Sequence, residues 1–425
     1  MNTKMSLTKK IIIFMLAGAI VGIGINYFGL SGNEFTSTYV VGGLFKIVGT
    51  LFIKLLKMMV VPLVFVSLFC GAAALKEPSQ LGKLGGKTLI LYLFTTAIAL
   101  VLAITFAYLI KPGVGFEIPN DFEPYVGKQA PTFISVIIGM VPDNPIEAFA
   151  KGKMLQIIVF SILLGLAATM AGKAGQRVID FFSDLNDVIM KLVHLIMELA
   201  PYAVFALIAK VFSELGFGAI KTLSGYFFTV LLVLFIHALV VYPVLLTTLA
   251  RLNPFIFLNK IKTAMVFAFG SASSNATIPV TMRTVTKRIG VKQKVAAFTV
   301  PFGATINMDG TAIMQGVATI FIANVYGIDL TLAQLGTVVL MATLASVGTA
   351  GVPGVGLLML SGVLTQVGLP VEGIGLILGI DRLLDMTRTA VNVTGDAAVT
   401  CIVAKSEDGF DEEIFKDPDA GIIEE

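Results

Sequence analysis

The chain has 425 residues, of which 56% are hydrophobic and 13% charged, and its mean hydropathy is +0.92. Soluble domains carry about 25% charged residues, so this composition excludes an ordinary soluble protein and points to an all-α polytopic membrane protein. A net charge of +3 with no basic, aromatic-interleaved stripe argues against a nucleic-acid partner, and two cysteines in apolar runs (Cys70, Cys401) argue against a disulfide or thiolate metal site.

Lys4, Lys9 and Lys10 precede an apolar run from Ile11 to Ile25. The run has no convincing cleavage site, so it reads as a retained first span over about residues 9–29. Gly18-x-x-x-Gly22 on it allows a second helix to approach closely. The second span, about 39–75, is longer than a ~20-residue crossing and is expected to tilt. Its Lys46, Lys54 and Lys57 either snorkel or face a cavity. A third span covers about 88–111, and 112–131 reads as an exposed outer loop. Residues 132–172 are apolar but broken at Pro142, Pro145 and Gly152, so several helical pieces are expected. Spans five and six occupy about 179–212 and 222–249. His194 and His237 are too far apart for ligand spacing, and each reads as a helix residue with a satisfied ring rather than a proton relay.

The second half changes character. Residues 255–290 are two short apolar arms meeting at Ser271-Ala272-Ser273-Ser274-Asn275. Residues 293–325 form a span broken by Asn307-Met308-Asp309-Gly310-Thr311. Residues 331–368 are again two short arms, meeting at the Gly-rich stretch 348–356, and a charged span follows over 371–404. A hairpin followed by a polar span thus occurs twice. Lys and Arg gather at both ends of the first hairpin, whereas none occurs from Tyr326 to Gly379. By the positive-inside rule the first hairpin enters from the cytoplasm and the second from outside, with both termini cytoplasmic. Two oppositely directed hairpins in successive repeats make an inverted repeat with tips near the midplane, the architecture of a secondary transporter. The acidic tail, 406–425, is expected to be solvated.

The charged span carries Asp381, Arg382, Asp385, Arg388 and Asp396. On a helix Asp385, Arg388, Thr389, Asn392 and Asp396 fall at i, i+3, i+4, i+7 and i+11 and share one face. Five such charges facing lipid cost about 12–17 kcal/mol, so the stripe faces protein or a water-filled cavity. Arg388 is a planar fork for a carboxylate, and Asp385, one turn away, takes an ammonium. Asn392 and the N–H groups at Ser273-Ser274-Asn275 suit a second carboxylate. An acidic amino acid carries these three groups. Asp309 and Asp396, with free carbonyls and no thiol, suit a hard cation such as sodium.

At these residues the chain resembles the glutamate/aspartate transporter family, the dicarboxylate/amino acid:cation symporters, as a prokaryotic sodium-coupled member. The motifs are Asn307-Met308-Asp309-Gly310-Thr311, the serine-rich first tip, Gly348-Thr349-Ala350-Gly351-Val352-Pro353-Gly354, and Asp385-x-x-Arg388-Thr389-x-x-Asn392-x-x-x-Asp396. The resemblance implies eight transmembrane helices plus two re-entrant hairpins, assembled as a homotrimer of elevator-type protomers. It implies a scaffold from 1–75 and 132–218, and a transport domain from the span within 76–131 together with 219–405. Substrate contacts carry over to Ser273, Ser274, Thr311, Gly356, Asp385, Arg388, Thr389 and Asn392. One sodium site carries over to Gly303, Asn307, Asn392 and Asp396, and a second to Thr305, Met308, Ser346, Val347 and Thr349. A third carries over to Tyr92, Thr95, Thr96, Asn307 and Asp309. No resident cofactor is implied, since sodium enters as a co-transported ligand.

The chain departs from its family in places. Archaeal relatives have an arginine where Ala272 stands, and animal relatives have one where Met386 stands. Arg382, one turn before Met386, is the candidate replacement and the coupling candidate. Gln315 replaces the glutamate of animal relatives, which argues against potassium countertransport. The expected function is therefore sodium-coupled symport of aspartate and/or glutamate across the cell membrane. The alternatives are a proton-coupled glutamate or C4-dicarboxylate symporter and, from another class, an anion channel. An intramembrane enzyme has no nucleophile–base pair to support it.

Overall fold

Backbone inside hydrocarbon must satisfy its own hydrogen bonds, and the apolar runs of this chain accordingly fold as helices. The structure, a computed structural model, describes residues 7–73, 82–116, 138–215, 218–346 and 354–421. Among them there is no strand, only an isolated antiparallel bridge between Val291 and Phe410.

The first half supplies α1 (Leu7–Tyr27), a π-helical stretch Thr36–Phe45 running into α2 (Lys46–Ala73), and α3 (Gly82–Ile110). The broken region gives α4 (Pro145–Lys151) and α5 (Met154–Met170), the separate pieces expected from Pro145 and Gly152. Asn144 caps α4 by accepting from Ile146 N–H and Glu147 N–H, and Gly152 ends it at φ +62. The fifth span is two helices rather than one. α6 (Gly172–Met197) and α7 (Ala200–Leu215) part just before Pro201, which has no N–H to carry a helix through. α8 (Gly218–Ile236) continues to Ala250 through π turns at His237–Val241 and Leu246–Ala250. Lys10–Tyr27, Leu84–Ile110 and Leu223–Ala250 are long and apolar enough to cross a membrane.

The second half is α9 (Pro254–Ser271), α10 (Ser274–Arg283), α11 (Gln293–Ile306), α12 (Asp309–Val325), α13 (Leu332–Ser346), α14 (Val355–Val367) and α15 (Ile374–Ser406). α9 and α10 form one helical hairpin and α13 and α14 the other. α1 lies along α7, while α2 packs on α5, α6 and α7. The Gly18/Gly22 expectation has its partner here. A Cβ at Gly18 would lie 2.6 Å from Phe205 O, and one at Gly22 2.5 Å from Ala209 O. α15 runs through the second group and touches α3, α8, α9, α11, α12 and α14. α12 is buried from Asp309 through Ala323, so the broken span and the charged span meet in the interior.

As far as Gly421, the last described residue, the acidic tail keeps most of its acids exposed, as expected, and is also held in place. Lys292 N–H donates to Gly409 O, and Asp411 N–H to Gly290 O, stitching the tail to the base of the first hairpin. Asp411 caps a short α16 (Glu412–Lys416), and Phe415 is buried. The Lys260 ammonium, 2% exposed, donates to Arg288 O at 2.6 Å, Ile414 O at 2.6 Å and Asp417 O at 2.7 Å. Backbone hydrogen bonds, the buried Phe415 ring and the Lys260 ammonium thus hold a segment whose acids face solvent.

Candidate functional site

The polar stripe of α15 is buried, as its cost in lipid requires. Arg388 is 1% exposed, Asp381 3%, Asp385 8% and Asp396 1%. The Arg388 guanidinium is gripped from one side of its own helix. Nη1 bonds Asp381 Oδ1, Nη2 reaches Asp381 Oδ2 at 3.3 Å, and Nη2 donates to Asp385 Oδ1 at 2.9 Å. Seven and three residues of helix place both acids on the guanidinium's face. Its Nε has no hydrogen-bond partner. Asp385 also accepts from Arg382 Nη1 and from Gly354 N–H, each at 3.3 Å. Gly354 thus brings the second hairpin onto the stripe. Gly356, next along, faces the same place: a Cβ there would lie 3.0 Å from Thr311 Cγ2 and 3.5 Å from Arg388 Nη2. Thr389 Oγ1 donates to Asp385 O at 2.8 Å, and Thr311 is buried on the first turn of α12. Gly356, Thr311, Asp385 and Arg388 therefore converge, while Thr389 bonds locally along α15.

The break between α11 and α12 is real backbone unwinding. Asn307 sits at φ −87, ψ 94 and Met308 at φ −119, ψ 46. An interrupted helix leaves carbonyls on one side and N–H groups on the other to be satisfied elsewhere. Asn392 Oδ1 accepts from Gly310 N–H at 2.7 Å, and Asn392 Nδ2 lies 3.4 Å from Met308 Sδ. Asn307 Nδ2 donates to Asn392 O at 3.0 Å and to Asp396 Oδ1 at 2.9 Å, while Asn307 Oδ1 is buried without a partner. Gly303 completes the group: a Cβ there would lie 2.5 Å from both Asp396 Oδ1 and Tyr92 OH. Gly303, Asn307, Asn392 and Asp396, the first expected sodium set, are therefore gathered in one place. The donors are a carboxylate, an amide oxygen and main-chain carbonyls, which suit a hard monovalent cation.

Asp309 makes a second buried carboxylate centre. Thr96 Oγ1 donates to its Oδ1 at 2.6 Å, while Tyr242 OH at 2.8 Å and His237 Nε2 at 3.0 Å both meet Oδ2. Tyr92 OH donates to Thr299 O at 3.0 Å, and Thr95 Oγ1 to Tyr92 O at 3.0 Å. α3 thus brings Tyr92, Thr95 and Thr96 to the broken span. The sequence reads His237 only as a helix residue with a satisfied ring and does not single out Tyr242. Their signal is a pair of polar side chains in an otherwise apolar span, each of which needs a partner inside the membrane.

Other expected residues lie at the first tip and on the neighbouring helices. Ser273 caps α10, accepting from Ala276 N–H at 3.2 Å, and Ser274 is buried beside it. α10 packs on α15. Ala272 ends α9 at φ +50, a conformation that ordinarily costs about 1–2 kcal/mol for a residue with a Cβ. Of the second sodium set, Thr305 Oγ1 bonds Phe302 O at 2.9 Å and Ser346 Oγ bonds Thr343 O at 2.7 Å, both locally. Val347 and Thr349, with most of the Gly-rich tip, lie outside the described residues.

Comparison with known proteins gives this geometry a family. Residues 7–406 match the model of the sodium:dicarboxylate symporter family. The chain is 36% identical over 423 residues to a proton/sodium-glutamate symport protein of Geobacillus stearothermophilus, covering 96% of each chain. It is 34% identical over 421 residues to a proton/glutamate-aspartate symporter of Escherichia coli (strain K12), covering 96% of this chain and 95% of that one. It is 33% identical over 415 residues to a C4-dicarboxylate transport protein of Bacillus subtilis (strain 168), covering 96% of each. These relatives are transport proteins rather than enzymes, and with a match spanning both the broken span and the charged helix, the chain belongs to the sodium:dicarboxylate symporter family.

Proposed function

We propose that this protein carries aspartate and/or glutamate into the cell together with sodium. The observation that carries the reading is the buried Arg388, held beside Asp385 and next to Thr311 and Gly356. A guanidinium there takes the side-chain carboxylate of the substrate, and Asp385 takes its ammonium. Asn392 and the Ser273–Ser274 tip receive the main-chain carboxylate. Sodium occupies the Asn307–Asp396 and Thr96–Asp309 centres and offsets their buried negative charge. Arg382, against Asp385, links substrate occupancy to the rate of movement.

Alternating access follows an elevator scheme. The helices of 1–75 and 132–218 form the scaffold, and α3 with the helices of 219–405 form the moving unit. Three such protomers assemble, with both termini in the cytoplasm.

The relatives' names support two coupling ions and two substrate types, so a second reading is a proton-coupled glutamate or C4-dicarboxylate symporter. Asp385 separates the substrates. A carboxylate at this point attracts an amine and repels a dicarboxylate that lacks one. The test is calorimetric titration of the purified protein with aspartate, glutamate and succinate, in sodium chloride and in choline chloride. Aspartate or glutamate should bind only with sodium, and succinate roughly 10- to 150-fold more weakly, the loss expected for one charge-assisted pair. Succinate binding as tightly as the amino acids overturns the substrate assignment, and binding indifferent to sodium overturns the coupling.

A further inference from the structure

The two donors on Asp309 Oδ2 come from one stretch of α8, five residues apart. Five residues of ordinary α-helix turn a side chain about 140° away. His237 and Tyr242 nonetheless meet the same oxygen, and their rings lie 4.6 Å apart at 73°. The π turn His237–Val241 explains this. An i→i+5 turn brings the fifth residue back over the first. Pro243, the next residue, has no N–H to restore the α-helical ladder at once.

An ionised carboxylate has about four lone-pair positions, two on each oxygen. His237 Nε2–H and Tyr242 O–H fill both on Oδ2, and Thr96 fills one on Oδ1. One position is left, on Oδ1. His237 Nδ1 is buried and has no hydrogen-bond partner, which fits a ring whose hydrogen is on Nε2. Tyr242 is also fixed from behind. A Cβ at Gly395 would collide with its hydroxyl and come within 2.7 Å of Asn307 Nδ2. The hydroxyl is thus wedged between Asp309 and the Asn307–Asp396 centre.

We infer that His237 and Tyr242 are positioning residues for cation coupling: presented by the π turn of α8, they saturate Asp309 Oδ2 and reserve Oδ1, beside Thr96, for the sodium ion. The inference rests on the sodium-coupled reading above and adds to it which atom of Asp309 the ion uses and which residues secure that choice. Without either donor the carboxylate is free to rotate and Oδ2 competes for the ion, so the energy of sodium binding no longer falls on one geometry.

The experiment is aspartate binding measured across a sodium series for the wild-type protein, Tyr242→Phe, His237→Phe and His237→Gln. Tyr242→Phe removes one oxygen and keeps the ring, so it probes the hydrogen bond with the least risk to folding. Phe at either position should raise the sodium concentration for half-maximal aspartate binding about tenfold, the effect of one hydrogen bond to a charged group. Aspartate affinity at saturating sodium should recover, which a general packing defect would not allow. His237→Gln, which restores an N–H donor, should move the curve back toward wild type. A wild-type curve independent of sodium overturns the sodium-coupled reading itself. Wild-type dependence with an unshifted Tyr242→Phe curve overturns only the positioning role. So does an affinity loss that saturating sodium does not repair.

Discussion

Replacing Arg388 by alanine tests the substrate face most sharply. The guanidinium is 1% exposed and is the shared partner of Asp381 and Asp385. A substrate carboxylate that docks on it makes two charge-assisted hydrogen bonds, each contributing about 1.5–3 kcal/mol. Their loss weakens aspartate binding by about 3–6 kcal/mol, or roughly 10²- to 10⁴-fold. Two acids left in the same pocket then repel the incoming carboxylate, which pushes the effect toward the upper end. Asparagine has the same shape without the charge and should lose far less. Stability should also fall, because stranding a buried acid costs about 3–5 kcal/mol. Arg388→Lys keeps the charge and loses the planar fork, so it should fall between wild type and alanine. Titration calorimetry with aspartate and asparagine at saturating sodium, beside a thermal melt, reads all of these effects. An Arg388→Ala protein that binds aspartate within threefold of wild type refutes the assigned role.

Three further substitutions probe the rest. Gly303→Ala puts a methyl 2.5 Å from Asp396 Oδ1 and Tyr92 OH, an overpacking that costs about 1–3 kcal/mol; it should shift the sodium dependence of aspartate binding to higher concentration, and an unchanged sodium titration contradicts the site. Lys260→Met strands three carbonyls that one ammonium satisfies, so the segment 407–421 should open roughly 10- to 150-fold more often, as hydrogen bonds to a charged group imply. Limited proteolysis of the tail measures that opening, and equal cleavage rates contradict the docking. Arg382→Ala removes one of the two donors on Asp385 Oδ2, leaving Gly354 N–H, and should change the turnover of uptake more than the ratio of aspartate to glutamate affinity; a pure loss of aspartate binding is the contrary result.

What sequence could reveal depended on what lipid makes expensive. The stripe from Asp381 to Asp396 was legible because charges in an apolar span need a reason to be there. The break at Asn307–Asp309 was legible because polar residues and glycine interrupt an apolar run. Asp381 was noticed only as an extension of the stripe, yet it is bonded through two oxygens to Arg388. Helical spacing gives a shared face, not which side chain grips which. The His237–Asp309 contact spans 72 positions and crosses helices, so no local spacing encodes it. The π turn that aligns His237 with Tyr242 likewise has no compositional mark beyond Pro243. The tail's acids are mostly exposed, as its composition suggests, whereas its docking rests on Phe410, Ile414 and Phe415, whose partners lie far away in the sequence.

In the proposed function, inward movement of an acidic amino acid draws its energy from sodium. Proteoliposomes loaded with potassium chloride and diluted into labelled aspartate or glutamate test it directly, with the outward solution holding sodium, or choline at a more acidic pH. Accumulation above the outside concentration is expected only under an inward sodium gradient, and it should collapse when a sodium ionophore removes the gradient. Equal accumulation driven by the proton gradient in the absence of sodium contradicts it.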